Sequence, residues 1–215
     1  ISQSGETADT LSALKFAKKN DSKIFSIVNN SESSIARESH NFITIEAGPE
    51  IGVASTKAFT AQLSVLACLC LIAGRERKTV NNSIEQQLTE KLLEIPSNMS
   101  SVFNLVEQVK KLSKQIVNAK SVLFLGRGHL FPIALEGALK LKEISYIHAE
   151  GYASGEMKHG PIALVDDKVP VIVLAPKDSL FEKNISNMQE ILARGGKVIL
   201  ITDTTVSYTH LRAHE

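Results

Sequence analysis

Apolar residues recur along the chain in two rhythms. Residues 23–28 (KIFSIV), 121–125 (SVLFL), 169–175 (VPVIVLA) and 197–202 (KVILIT) are short apolar runs rich in β-branched residues, as expected of strands buried on both faces of a sheet. Residues 42–45 read as a further strand. Between these runs the spacing changes to the 3.6-residue period of helices. Leu11, Leu14, Ala17 and Lys18 mark one helix, residues 53–73 a long apolar one stopped by Gly74, residues 131–146 another, and residues 179–194 one stopped by Gly195-Gly196. Asn29-Asn30 and Ala47-Gly48-Pro49 read as loops. Residues 81–119 are polar-amphipathic and predict helix, with Pro96 forcing a boundary between two helices. Residues 148–161 hold three glycines and little apolar period, and predict a loop. Alternating helices and buried strands imply an α/β chain with parallel sheets flanked by helices.

The alternation halts at residues 81–119 and then resumes. Residues 1–80 and 120–203 therefore predict two α/β domains, with residues 81–119 as a helical connector and residues 204–215 as a tail of uncertain origin carrying His210, Arg212 and His214. Residues 10–30 and 184–203 share one plan of helix, polar break, Lys, apolar strand, then Asn or Asp, an echo that short strands between helices also produce by chance. The chain opens at Ile1 in what reads as a loop entering a helix, so a strand is expected upstream and both domains are expected to be incomplete. Residues 58–74 are uncharged and near membrane-span length, but Thr60, Gln62 and Ser64 interrupt them, and a buried core helix is the expectation.

At 215 residues, 43% apolar and 22% charged, the chain can bury a large core, and neither disorder nor a fibre fits. A net charge of +1 attracts neither nucleic acid nor an anionic membrane. Cys68 and Cys70 lie in an apolar run without Cys or His at ligand spacing, so neither a disulfide framework nor a metal site follows. A reducing cytoplasm is the expected setting.

Three features could carry chemistry. Residues 2–7 (SQSGET) put three hydroxyls and a glycine where a strand hands over to a helix, which suits a phosphate and equally suits plain N-capping. No Walker lysine pattern accompanies them, so a nucleoside triphosphate is not indicated. Glu136, Lys140 and Glu143 are spaced to share one helix face. They form either a solvated charged face or an acid–base set, and the apolar residues around the same helix (Ile133, Leu135, Leu139, Leu141, Ile144) predict burial on more than one side. His159 stands in a polar, glycine-bearing stretch where functional groups collect, although a lone surface histidine is common. Gly126-Arg127-Gly128 lacks the third glycine of a dinucleotide fingerprint and predicts a tight βα turn.

Taken together, residues 2–7, 50–59 (EIGVASTKAF), 124–128 (FLGRG), 134–146 (ALEGALKLKEISY) and 155–161 (GEMKHGP) closely resemble the glutamine–fructose-6-phosphate aminotransferase (isomerizing) family, the glucosamine-6-phosphate synthases, over residues 1 to about 203. The resemblance covers only the sugar-isomerase region of that family. It implies two sugar-isomerase-type parallel sheets flanked by helices. In the family these follow a glutaminase domain and precede a short tail.

The resemblance further implies that Ser2, Gln3, Ser4 and Thr7 hold a substrate phosphate and that Val53 and Ser55 contact the sugar. Glu143 matches a carboxylate that moves a proton between C1 and C2, Lys140 a neighbouring acid–base lysine, and His159 a histidine that opens the sugar ring from the adjacent subunit, which implies a homodimer. The implied reaction makes glucosamine 6-phosphate from fructose 6-phosphate and glutamine-derived ammonia, the entry to amino-sugar synthesis, and needs no cofactor or metal. Each step calls for an acid or base with a pKa moved toward neutrality. Neither cysteine matches the glutaminase nucleophile, and the tail lysine of the family has no match, so low or no turnover is expected of these residues alone. A sugar-phosphate-sensing regulator and another phosphosugar isomerase or deaminase are the alternatives. A sensor needs the phosphate loop but not Glu143, Lys140 and His159 together, and residues 134–146 and 155–161 resemble the other isomerases less.

Overall fold

A computed structural model describes residues 1–204, so the expected tail lies outside the described residues except for Thr204. The chain forms two compact units, Ile1–Ser101 and the residues from Val102 onward.

The first unit begins with helix α1 (Ala8–Lys19), strand β1 (Phe25–Val28), the short helix α2 (Ser34–Glu38) and strand β2 (Asn41–Thr44). It continues with helices α3 (Lys57–Glu76) and α4 (Asn82–Val102). β1 and β2 pair in parallel, Phe25 opposite Asn41 and Val28 opposite Thr44. On the other edge of β1, Ser2 bridges Val28 and its N–H donates to Ile27 O at 3.0 Å. One face of this small sheet packs Val28 with Leu14, Ile35 and Ala36, and the other packs Ile27 and Ile45 with Ala58, Ala61, Val65, Leu66 and Leu69 of α3.

Two helix expectations change here. Helix α3 is long and apolar enough to cross a membrane by length and composition, but it is not the buried core helix expected: Ala58 alone is fully buried, and Leu63 and Ile72 are exposed. One stripe meets a two-stranded sheet, and two strands cannot cover more than one side of a helix. The expected boundary at Pro96 is also absent, since α4 continues through it and the chain breaks instead into a 3-10 turn at Phe103–Leu105. Pro96 removes one backbone donor, but it does so on α4, none of whose residues is buried.

From Val102 the second unit runs α5 (Val106–Ile116), β3 (Ser121–Gly126), α6 (Leu130–Ser145) and β4 (His148–Ala153). Two 3-10 segments follow, Ser154–His159 and Pro161–Leu164, and then β5 (Pro170–Leu174), α7 (Phe181–Ala193) and β6 (Lys197–Ile201). The four strands are all parallel in the order β4-β3-β5-β6. The period of two along each strand divides the core cleanly. Leu123, Leu125, Val171 and Val173 pack with Met157, Val165 and Ile191 on one face, while Val122, Phe124 and Ile172 pack with Ala134, Ala138 and Ala149 on the other.

Strand β4 replaces the first part of the loop expected at residues 148–161. It is an edge strand, so its polar residues reach solvent, and Gly151 is there for packing: a Cβ would lie 2.9 Å from Leu135 Cα. Helix α6 approaches the sheet equally closely at Gly137, where a Cβ would lie 2.9 Å from the Phe124 ring. Small residues on that side leave the opposite one uncovered, so Ile133, Leu135, Leu139 and Ile144 are exposed and the expected burial on more than one side is not found. The turn at Gly126-Arg127-Gly128 is the tight βα connection expected, with Gly128 at φ +58°.

Candidate active site

Residues 2–7 form a loop between the edge of β1 and the start of α1. Ser2 is buried, its Oγ lies 2.8 Å from Thr7 Oγ1, and it accepts the Gly5 N–H at 3.1 Å. Ser4 Oγ accepts the Glu6 N–H at 3.1 Å. Gly5 sits at φ +69° with its carbonyl taking the Ile35 N–H, and a Cβ there would fall 2.0 Å from the buried Ser33 Oγ, so only glycine fits. Glu6 accepts the Ser34 N–H at 2.7 Å at the start of α2. Hydrogen bonding to Ser34, backbone first, holds its carboxyl below the usual range. Plain capping of α1 is not what the loop does: Thr7 stands at the N-cap but makes no side-chain cap. The first-turn N–H groups of this 12-residue helix have no side-chain cap and follow directly on a loop bearing the hydroxyls of Ser2, Ser4 and Thr7, an arrangement that suits an oxyanion.

Asn29 joins this loop to a second one. Its N–H donates to Gln3 O at 3.0 Å, and its side chain takes the Ala47 N–H at 3.0 Å and donates to Gly48 O at 2.7 Å. The irregular segment 45–56 therefore starts beside the phosphate-type loop and carries Val53, fully open to solvent, and the half-buried Ser55. Glu50 caps α3 by accepting the Ala58 N–H at 3.2 Å. In the sequence Asn29-Asn30 reads only as a loop after a strand.

The second unit has a loop in the equivalent place, between β5 and α7, and it is closed. Asp203 accepts the Lys177 N–H at 2.7 Å and Asp178 accepts the Leu180 N–H at 2.8 Å. Carboxylates of the chain itself thus occupy two of that loop's amides, whereas the Glu6 carboxylate of the first loop is turned to the Ser34 amide at the start of α2.

On α6 the spaced charges do meet. Lys140 Nζ lies 2.5 Å from Glu143 Oε2 and 3.5 Å from Glu136 Oε1, with all three side chains 22–30% exposed. Burial pulls the Lys140 pKa down, but the hydrogen bond it donates to Glu143 and the charges of Glu136 and Glu143 outweigh it and raise the pKa above the ordinary lysine value. This corrects the expectation of a shift toward neutrality, because two carboxylates around one ammonium favour its charged form. The Lys140 ammonium donates to the Glu143 carboxylate and lies beside that of Glu136. His159 ends the 3-10 segment Ser154–His159, is exposed, and among the described residues makes no hydrogen bond or ion pair, so the structure joins Lys140 to Glu143 without joining His159 to either. Among the described residues no His, Cys, Asp or Glu group is arranged to hold a metal ion.

A parallel α/β chain with one anion-suited loop and a charged helix face matches a known class. The SIS domain model matches residues 1–72 and 115–214, and the chain belongs to the SIS domain family. It is 60% identical over 204 residues to the glutamine–fructose-6-phosphate aminotransferase [isomerizing] of Agrobacterium fabrum, covering 94% of this chain and 34% of that protein. The chain thus spans about a third of the length of the curated relatives it matches. Among solved structures it is similar to the C-terminal domain of glucosamine-fructose-6-phosphate aminotransferase from Francisella tularensis, with a TM-score of 0.92, 47% identity, and coverage of 94% of this chain and 57% of that one. A Silicibacter pomeroyi protein described as a "putative phosphosugar isomerase" is similar at TM-score 0.79 and 27% identity, with 95% of this chain and 59% of that one covered.

Proposed function

We propose that this chain is the isomerase portion of an enzyme that converts fructose 6-phosphate and glutamine-derived ammonia to glucosamine 6-phosphate. Ser2, Gln3, Ser4 and Thr7 hold the phosphate, with Val53 and Ser55 on the sugar. Once the ring is open, ammonia adds at C2 and water leaves, giving an imine. Glu143 removes a proton from C1, the electron pair shifts toward nitrogen to give an enolamine, and reprotonation at C2 with loss of the C1 hydroxyl proton yields the 2-amino aldose. Lys140 keeps the carboxylate oriented, and His159 assists ring opening in the site of a second protomer of a homodimer. Residues 1–80 and 120–203 serve as the two isomerase domains, and a glutaminase domain in the full-length enzyme supplies ammonia. The unpaired, exposed Cys68 and Cys70 accord with a cytoplasmic setting.

The observation that carries this reading over a sugar-phosphate sensor is the Glu136–Lys140–Glu143 chain on α6, which phosphate binding alone does not require. Placing residues 1–204 in the corresponding span of the Agrobacterium fabrum relative tests it. The hybrid should form glucosamine 6-phosphate from fructose 6-phosphate and glutamine, and E143Q should abolish this with binding of the sugar phosphate retained. A hybrid that binds fructose 6-phosphate but makes no product would support the sensor.

A further inference from the structure

Arg127 occupies the turn between β3 and α6 and has no part in the chemistry above. Its Nη2 donates to Asn187 Oδ1 of α7 at 2.9 Å, across a sequence gap of 60 residues. Its guanidinium also covers Gly155, where a Cβ would lie 3.1 Å from Nη2, 3.4 Å from Cζ and 3.6 Å from Nη1. Gly155 belongs to the 3-10 segment that ends in His159. The same segment sinks Met157 completely into the core beside Leu123, Leu125 and Ile191, buries Ser154 fully, and ties Lys158 to Glu190 of α7 at 2.9 Å. Polar atoms at this junction have no protein partner: Arg127 Nε, Ser154 Oγ, both amide atoms of Asn184 and Glu190 Oε2 are all buried.

Resting on the proposed role of His159, we infer that Arg127 is a positioning residue for it: bonded to Asn187 and stacked over Gly155, it fixes the 3-10 segment against α7 and so sets where the imidazole stands. A planar guanidinium can cover a glycine and bond sideways at the same time, whereas an ammonium can do only the second. Misplacing a catalytic group by about 1 Å costs up to roughly 100-fold in rate.

The test uses the hybrid enzyme described above. R127A should speed amide hydrogen exchange in residues 155–160 at least about tenfold and lower kcat about 10- to 100-fold, with KM for fructose 6-phosphate within about twofold. N187D, which keeps an acceptor for the guanidinium, should stay near wild type, and N187L should behave like R127A. If R127A unfolds the enzyme, the N187D and N187L pair carries the test. Unchanged exchange in residues 155–160, equal effects of N187D and N187L, or a loss expressed only in KM would overturn the inference. If H159N leaves kcat intact while R127A still frees the segment, the assigned role of His159 falls and the positioning of the segment stands.

Discussion

Replacing Gly5 by alanine is the sharpest single perturbation of the phosphate-type loop. Two effects add. An alanine at φ +69° is strained by about 1–2 kcal/mol. Its Cβ would also lie 2.0 Å from Oγ and 2.3 Å from Cβ of Ser33, where ordinary contact begins at 3.4 Å. Ser33 is fully buried, so more than 1 Å of displacement must be absorbed by packed structure, and overpacking of this kind costs about 1–3 kcal/mol. The sum, about 2–5 kcal/mol, corresponds to a fall in melting temperature of roughly 8–40 °C for a unit of this size. Differential scanning calorimetry reads it directly, and titration with fructose 6-phosphate should show binding lost in parallel. The clash can be separated from the backbone strain with S33G, which removes both atoms Cβ would strike and sacrifices only the Ala36 N–H cap, a few tenths of a kcal/mol. The double variant should be less destabilised than the sum of the singles by about 1–3 kcal/mol. A G5A protein melting within about 2 °C of wild type, or a double variant that recovers nothing, would refute the reasoning.

Other outcomes follow from the same geometry. S2A or T7V removes a hydroxyl from the anion rim and should weaken fructose 6-phosphate binding about 10- to 100-fold by isothermal titration, with no effect on an uncharged sugar. Lys140 has a folded pKa above its ordinary 10.5, so its pairing stabilises fully below the unfolded value and is lost as pH rises through the folded one. K140M should therefore flatten the alkaline fall in melting temperature. Tyr152, raised by its hydrogen bond to Glu150 with burial second, titrates in the same direction and is removed separately with Y152F. Glu6 has the opposite sign: its folded pKa lies below 4.5, so its contribution is present above that value and is lost as pH falls through the folded one, and E6Q should blunt the acid limb of the stability curve. P96A restores a backbone donor inside α4 and should raise the melting temperature, since the roughly 3 kcal/mol helix penalty of proline exceeds the unfolded-state entropy it saves.

What was legible in the sequence, and what was not, follows from where the information sits. β3 and β5 announce themselves because both faces are buried and their runs are continuously apolar, and β6, a partly buried edge strand, does so by its apolar run alone. β4 does not, since an edge strand with Gly151 placed for helix contact resembles a loop. The hydroxyls of residues 2–7 and the spacing of Glu136, Lys140 and Glu143 are local patterns, and the structure realises both. Asn29 gathering two loops, Asp178 and Asp203 closing the second one, and Arg127 reaching Asn187 are contacts between distant segments that no periodicity encodes. The direction of the Lys140 shift also escaped the spacing argument, because the rule for neighbouring charges gives its sign only once both carboxylates are known to lie within reach. The exposed sides of α3 and α6 show the limit of reading burial from apolar content: each helix packs one stripe on its own sheet.

The most direct test of the account is hydrogen exchange at C1 of fructose 6-phosphate in D2O, followed by proton NMR with the hybrid enzyme. Deuterium should enter at C1 with wild-type residues, and E143Q should stop it while titration still shows the sugar phosphate bound. Wild-type exchange in E143Q, or none in the active hybrid, would contradict the assignment of proton transfer to Glu143.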